Sequence, residues 1–306
     1  MLLSIVIVSW NCKEELLGCV DSLIQHPYSG GQEILVIDND SRDGTVPALC
    51  GRFPRVRVIQ TGTNLGFGRA ANLGLQQARG DFLLFLNPDT AVPEGALDAA
   101  VRIVERHPAV GVVGVGLRDG DGNLQPSCGQ FLSLRSLLGG NLRPAHGKGP
   151  GPEADGRGVL WTVPKQTEVD WVMGAFMVGR REVVALIGGF DEDYFLYAED
   201  MDLCYRLRRR GYPVLFCPEV TVTHLGNRSG ARKWAERRES EIVRSEVLFL
   251  RKHHGHVSAL GFRFLGGSFF LCKSMVAWMQ SWTRGTQCLA EARRYWHMTA
   301  VCWGWG

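Results

Sequence analysis

Gly80–Thr90 reads GDFLLFLNPDT. The apolar run Phe82–Leu86 is continuous, of strand length, and bounded by Gly80-Asp81 in front and Pro88-Asp89 behind. A run with no polar face fits a strand buried on both sides, as in a parallel sheet. Such a strand delivers one carboxylate, Asp89, to its C-terminal tip. In open α/β sheets ligands gather outside the carboxyl ends of the strands, so a cation or a polar substrate is the natural client of Asp89. The competing reading makes Asn87-Pro88-Asp89 a closing turn, since all three residue types favour turns.

The same alternation recurs on both sides. Leu2–Ser9 is apolar and β-rich, Trp10-Asn11 breaks the run, and Lys13–Gln25 has helical spacing through Leu16, Leu17, Val20, Leu23 and Ile24. Glu33–Ile37 reads as a second strand ending in the polar turn Asp38–Thr45, which can also cap the helix after it. Val56–Gln60 makes a third strand, Asn64–Gly68 opens a helix reaching about Ala78, and Glu94–Arg106 is another helix with Pro93 near its first turn. Strands alternating with helices predict a parallel sheet with right-handed crossovers. Three strand ends carry polar clusters: Ser9–Asn11, Asp38–Asp43 and Asn87–Asp89. Capping explains any one of them; their joint occurrence at one sheet edge points to a shared ligand.

The second half is less regular. Residues 139–158 are rich in Gly and Pro and nearly free of large apolar side chains, which predicts a mobile surface loop. Val169–Val178 mixes apolar and aromatic residues around Gly174-Ala175, small enough for close backbone approach. Arg180–Leu186 reads as a helix. So does the stretch from Tyr194 to Arg210, with Glu199, Asp200 and Asp202 early, arginines late and Gly211 as a stop, as the helix dipole prefers. Dipole matching accounts for those charges, and a carboxylate at a helix start beside aromatic residues can also act as a base. Pro213–Cys217 and Val220–Thr223 read as two short strands, the second ending at His224. A basic Gly-containing loop, 226–230, follows and makes His224 a candidate phosphate or metal contact.

Composition is that of an ordinary soluble globular protein, 45% hydrophobic and 21% charged over 306 residues. The net charge of +3 gives no ground for nucleic-acid binding, but about 13 basic against 5 acidic residues lie from Gly226 onward. Residues 262–306 add five of the nine tryptophans to an apolar stretch, which suits an interfacial helix on an anionic membrane; packing on the core or on a second subunit is the alternative. Nine cysteines without a C-x-x-C pair favour reduced thiols in a cytoplasmic protein, and the N-terminal LLSIVIV run is too short for a signal or a span.

Taken in order, Val8-Ser9-Trp10-Asn11, Val36-Ile37-Asp38-Asn39 with Ser41 and Asp43, Asn64-x-Gly66-Phe67 with Asn72, Asn87-Pro88-Asp89, Gly174-Ala175, Gly188–Glu192, Glu199-Asp200-x-Asp202-Leu203 and Arg251–Gly255 resemble the family 2 glycosyltransferases, inverting and of GT-A fold, in particular bacterial rhamnosyltransferase-like members. The resemblance covers about 2–255. It implies a GT-A nucleotide-sugar-binding fold, α/β with a mostly parallel central sheet, split into a nucleotide-sugar-binding half (1–115) and an acceptor-binding half (116–230), with a helical basic and aromatic extension (231–306).

By the same resemblance, Ser9, Asn11, Asp38 and Asn39 fall where the family holds base and ribose, and Asn64, Phe67 and Asn72 where it shapes the donor pocket. Asp89 matches the last acid of a D-x-D-like site for Mg²⁺ or Mn²⁺, with Asn87 where many members carry an acid. His224 is a further metal or diphosphate ligand, and Asp200 the catalytic base with Glu199 beside it. A hard divalent cation held by oxygen ligands stabilises a departing diphosphate, and a carboxylate on the other side of the anomeric carbon deprotonates the attacking hydroxyl.

The resulting expectation is a metal-dependent transfer of a sugar, L-rhamnose from dTDP-rhamnose, to a carbohydrate or lipid-linked acceptor in bacterial surface polysaccharide synthesis. The setting is the cytoplasm, at the inner face of the plasma membrane. Another UDP- or GDP-sugar donor, a catalytically silent binding module and a homo-oligomer stay open as alternatives.

Overall fold

The structure is a computed structural model that describes residues 1–133, 160–161, 165–226, 231–284 and 286–304. The expected loop at 139–158 and residues 227–230 of the basic loop lie outside the described residues.

Four strands form the parallel heart of the main sheet: β1 (Leu3–Ser9), β2 (Gln32–Asp38), β3 (Arg57–Gln60) and β4 (Phe82–Leu86), in spatial order β4-β1-β2-β3. Every residue of β1 and β4 is buried, as an unbroken apolar run requires. The crossovers are α1 (Lys13–Gln25), α2 (Thr45–Arg52) and α3 (Phe67–Gln77). The two-residue strand β5 (Thr90–Ala91) and α4 (Ala96–Arg106) follow β4.

Beyond β4 the sheet is mixed. β6 (Val112–Arg118) pairs with the short β7 (Leu124–Gln125), while β8 (Cys128–Gly129), β9 (Leu160–Trp161) and β11 (Trp171–Val172) make a separate small sheet. β10 (Thr167–Val169) borders the main sheet, and β12 (Phe176–Arg180) inserts antiparallel between β4 and β6. Helices α5 (Arg181–Leu186) and α6 (Glu199–Arg209) lead to β13 (Val214–His224).

The structure differs from expectation in two elements. β13 is one strand rather than two: it pairs with β6 on both sides of a register shift between Cys217 and Thr221, where Pro218 lacks a donor for the ladder. Its reach brings His224 opposite Thr90 of β5. Helix α6 starts at Glu199 and not at Tyr194, because Tyr197 and Ala198 both take left-handed backbone angles, φ +69° and +61°.

The chain divides into two compact units. One consists of the described residues of Met1–Phe131 and Arg143–Lys233, the other of those of Leu132–Leu142 and Trp234–Gly306. The second contains most of α7 (Ala231–Arg284), helical on either side of Gly255 (φ +82°), and α8 (Thr286–Trp303).

Candidate active site

Parallel pairing sets three strand ends level. Ser9 lies opposite Asp38, and Ile7 opposite Leu86, so Asn87 continues beside Val8. Ser9 is fully buried with its hydroxyl 3.3 Å from Cys12 Sγ, and its carbonyl accepts the Asn39 N–H at 2.8 Å. It therefore shapes this edge from inside. Asn11 stands at φ +51°, an angle Asn tolerates. Its Oδ1 accepts the Arg42 N–H at 2.7 Å, while its own N–H donates to Ser41 Oγ at 2.9 Å. The loops after β1 and β2 are thus tied together. Asp38 Oδ2 accepts the Ser41 N–H at 3.1 Å, and its Oδ1 is buried without a protein partner.

Asn39 carries the network onward. Its Nδ2 donates to Asn64 Oδ1 (2.9 Å) and the Gly66 carbonyl (3.0 Å), and its Oδ1 accepts the Leu65 N–H (2.9 Å). Gly66 then abuts the loop before α6: a Cβ there would lie 2.3 Å from the Phe195 carbonyl oxygen, which accepts the Phe67 N–H at 2.8 Å. Phe67 packs edge-on against Phe190, centroids 5.4 Å apart. Asn72 is spent elsewhere. Its amide brackets the Phe190 backbone (Nδ2 to O 2.9 Å, N–H to Oδ1 2.8 Å) and also donates to Glu192 Oε1, so it clamps the 188–192 segment rather than pointing free groups at a ligand.

Asp89 and His224, far apart in sequence, meet because β5 pairs with the end of β13. His224 Nε2 lies 3.3 Å from Asp89 Oδ1 and 3.4 Å from Asn87 Nδ2. Gln125 fixes the imidazole. The His224 carbonyl can only accept, so the Gln125 amide nitrogen faces it at 2.8 Å; the amide oxygen, 2.9 Å from Nδ1, then receives that ring proton. In neutral imidazole this leaves Nε2 an acceptor, 3.4 Å from the Asn87 amide nitrogen and 3.3 Å from the buried Asp89 Oδ1. Two lone pairs about 3 Å apart are the separation of neighbouring ligands around a small octahedral dication, and a carboxylate with an imidazole is a donor set that a divalent first-row metal such as Mn²⁺ accepts. The donor set fits the expected metal, with two protein ligands. Among the described residues no group of three or more His, Cys, Asp or Glu side chains converges.

Glu199 and Asp200 open α6. Asp200 is partly exposed, its Oδ2 accepting the Gly174 N–H at 3.0 Å and its Oδ1 the Met201 N–H at 2.8 Å. Burial raises its pKa, and these two donors oppose the rise. Glu199 is 7% exposed with Oε2 unpartnered; burial, and then the Asp200 charge, push it up to about 8. Burial thus raises both carboxyls of the pair, and on Asp200 the Gly174 and Met201 N–H donors work against it. The Gly174-Ala175 turn joins this pair to the strand tip, since Ala175 O accepts the Asn87 N–H at 3.0 Å.

Sequence reading missed Gln125. It lies 99 residues from His224 in a two-residue strand without an apolar pattern, so no local signal pointed to it.

A sheet of this order, with polar strand ends and a carboxylate pair across one turn, is the GT-A glycosyltransferase fold. Solved structures agree: a mannosyltransferase from Pyrobaculum calidifontis in complex with GDP-Man and Mn²⁺ superposes with TM-score 0.60 at 17% identity, over 98% of this chain and 84% of that one. GalNAc-T7 with UDP, GalNAc and Mn²⁺ gives 0.58 at 18% identity, over 81% of this chain and 47% of that one. Residues 4–144 match the description Glycosyl transferase family 2. An N-acetylglucosaminyl-diphospho-decaprenol L-rhamnosyltransferase of Mycobacterium tuberculosis is 32% identical over 254 residues, 79% of this chain and 81% of the relative. Rhamnosyltransferase WbbL of Escherichia coli K12 is 26% identical over 225 residues, 67% and 78% of the two chains. The chain belongs to glycosyl transferase family 2 and is a glycosyltransferase.

Proposed function

We propose that this enzyme transfers L-rhamnose from dTDP-rhamnose, with inversion, to a lipid-linked saccharide during bacterial surface polysaccharide synthesis, at the cytoplasmic face of the membrane. The observation that carries the reading is the Gly174-Ala175 turn, bonded on one side to Asn87 of the metal-type strand tip and on the other to Asp200. One rigid turn thereby spaces a diphosphate-binding edge from a base. The sugar and acceptor follow the two rhamnosyltransferase relatives, one of them named for a diphospho-decaprenol substrate.

In this reading Asp89 and His224 hold Mg²⁺ or Mn²⁺, which when bound neutralises charge on the departing nucleoside diphosphate. Asp38 and Asn39, with Asn11 and Asn64, shape the end that takes the nucleoside; the unpartnered Asp38 Oδ1 is an acceptor available to a ribose hydroxyl. Asp200 takes the proton of the acceptor hydroxyl as it attacks the anomeric carbon from the face opposite the leaving group, its carboxylate held in place by the Gly174 and Met201 N–H groups. Asn72 holds the segment leading to Asp200.

Asp200→Asn tests the assignment. Turnover is expected to fall by about 10²–10⁴-fold, the worth of a positioned base, with donor affinity kept. Wild-type turnover in that variant would overturn the role of Asp200. A UDP- or GDP-sugar is the second reading, favoured by the ligands of the solved neighbours, and calorimetry over a nucleotide-sugar panel separates the two.

A further inference from the structure

The helical segment after Gly255 has two unlike faces. One packs on α8: Ser274 Oγ donates to the Ala292 carbonyl at 2.8 Å, Phe270 stacks on Tyr295, and Ala259, Phe262 and Ala277 are buried. The other is bare. Val257, Leu260 and Phe264, then Met275, Met279 and Trp282, fall at three- and four-residue steps and are between 51% and 80% exposed. Ser268, Leu271 and Cys272 fill the intervening turns, so the stripe carries no charge over 26 residues, about 39 Å of helix. A contiguous apolar surface of this length marks an interaction site, whereas singly scattered apolar residues do not.

Charge and residue type select the occupant. The chain from Gly226 onward holds about 13 basic against 5 acidic residues. Lys273 lies towards α8, its ammonium 4.8 Å from the Phe269 ring centroid and 5.3 Å from that of Tyr295, and exposed Arg293 and Trp296 lie one turn apart on α8. Tryptophan and phenylalanine on an uncharged face of a net-basic segment match the headgroup boundary of an anionic bilayer. Because the opposite face is committed to α8, the helix is one-sided. By length and mean hydropathy, 1.2, Arg238–Trp282 also reaches what a span needs, and it is the packing of one face on α8 that argues for lying along a membrane.

We propose that the stripe Val257–Trp282 lies in the plane of an anionic lipid surface. This surface is independent of the active-site assignments, so either can fail alone. The test is sedimentation of the full chain with phosphatidylcholine vesicles, with and without phosphatidylglycerol. Binding is expected only to the anionic vesicles, weakened by high salt and reduced at least about 10-fold in Phe264→Ser/Met279→Ser/Trp282→Ser, as loss of three exposed apolar anchors implies. The control Ile24→Ser, exposed but outside the stripe, is expected to bind as wild type. A second readout needs no folded triple variant: bromine-labelled lipid should quench wild-type tryptophan emission more than that of Trp282→Phe. Equal sedimentation of wild type and triple variant overturns the proposal, as does absence of binding and quenching. A concentration-dependent dimer that the triple variant abolishes, without vesicle binding, assigns the stripe to a second copy instead and equally overturns it.

Discussion

In the proposed metal site Gln125 acts on His224 without touching substrate. Gln125 contacts both the Nδ1 and the carbonyl of His224 and so turns Nε2 towards Asp89. Partners of metal-bound histidines are worth about 10–100-fold in metal affinity. Gln125→Leu should accordingly raise the Mn²⁺ concentration for half-maximal activity by about that factor, with saturated turnover little changed. An unaltered Mn²⁺ titration would show that the imidazole is not a ligand. The buried place of Asp89 just past β4 was legible from sequence, because an apolar strand ending in a carboxylate is a local pattern. Gln125 was not, since only the β6–β7 hairpin and the β5–β13 pairing bring it to His224. Asn72 was legible as part of a motif, yet its hydrogen bonds to Phe190 are tertiary and had no trace in the spacing.

The N-terminus of α3 joins the nucleoside end of the edge to the carboxylates. Asn39 holds Gly66 and Leu65, and Gly66 and Phe67 hold the Phe195 carbonyl, three residues before the left-handed Ala198 that starts α6. Gly66 has φ +82° and no room for a Cβ against that carbonyl, so the position needs glycine on both counts. Gly66→Ala should push the 195–198 segment and displace Asp200. Misplacement of a base by about 1 Å costs roughly 10²-fold in kcat, and the donor KM should move far less, a split read from steady-state kinetics. A change confined to KM would contradict this coupling. Regular helices and the buried parallel strands were readable from periodicity, with α1 found at Lys13–Gln25. The continuous β13 and the late start of α6 were not: a proline-interrupted strand and two left-handed residues are set by tertiary pairing, which the local pattern does not record.

For the whole molecule, one buried carboxyl leaves a signature in stability. The Glu199 pKa rises from the usual 4.5 to about 8, so between those values the folded chain keeps a proton that the unfolded chain has released. Stability then falls as pH rises through this window, by at most about 1.4 kcal/mol per pH unit, and levels off above it. Glu199→Gln removes the effect. The Tm of wild type relative to this variant should decline from pH 5 towards pH 8 and stay level beyond; parallel curves would place the Glu199 pKa in the ordinary range. Global topology was readable in outline, because alternating strands and helices leave few arrangements. The antiparallel insertion of β12 beside β4 was not, and it is this strand that sets the Gly174-Ala175 turn between Asn87 and Asp200.

The meeting of metal, diphosphate and Asp89 at one strand tip is tested most directly by calorimetric titration of dTDP-rhamnose into wild type and Asp89→Asn, each with and without Mn²⁺. The asparagine keeps the size of the buried side chain while removing its charge. Binding should depend on Mn²⁺ in wild type and weaken at least about 10-fold in the variant, as loss of a charged metal ligand implies. Equal affinity with and without Mn²⁺, or a variant that binds as wild type does, would contradict the assignment of Asp89 as the metal anchor.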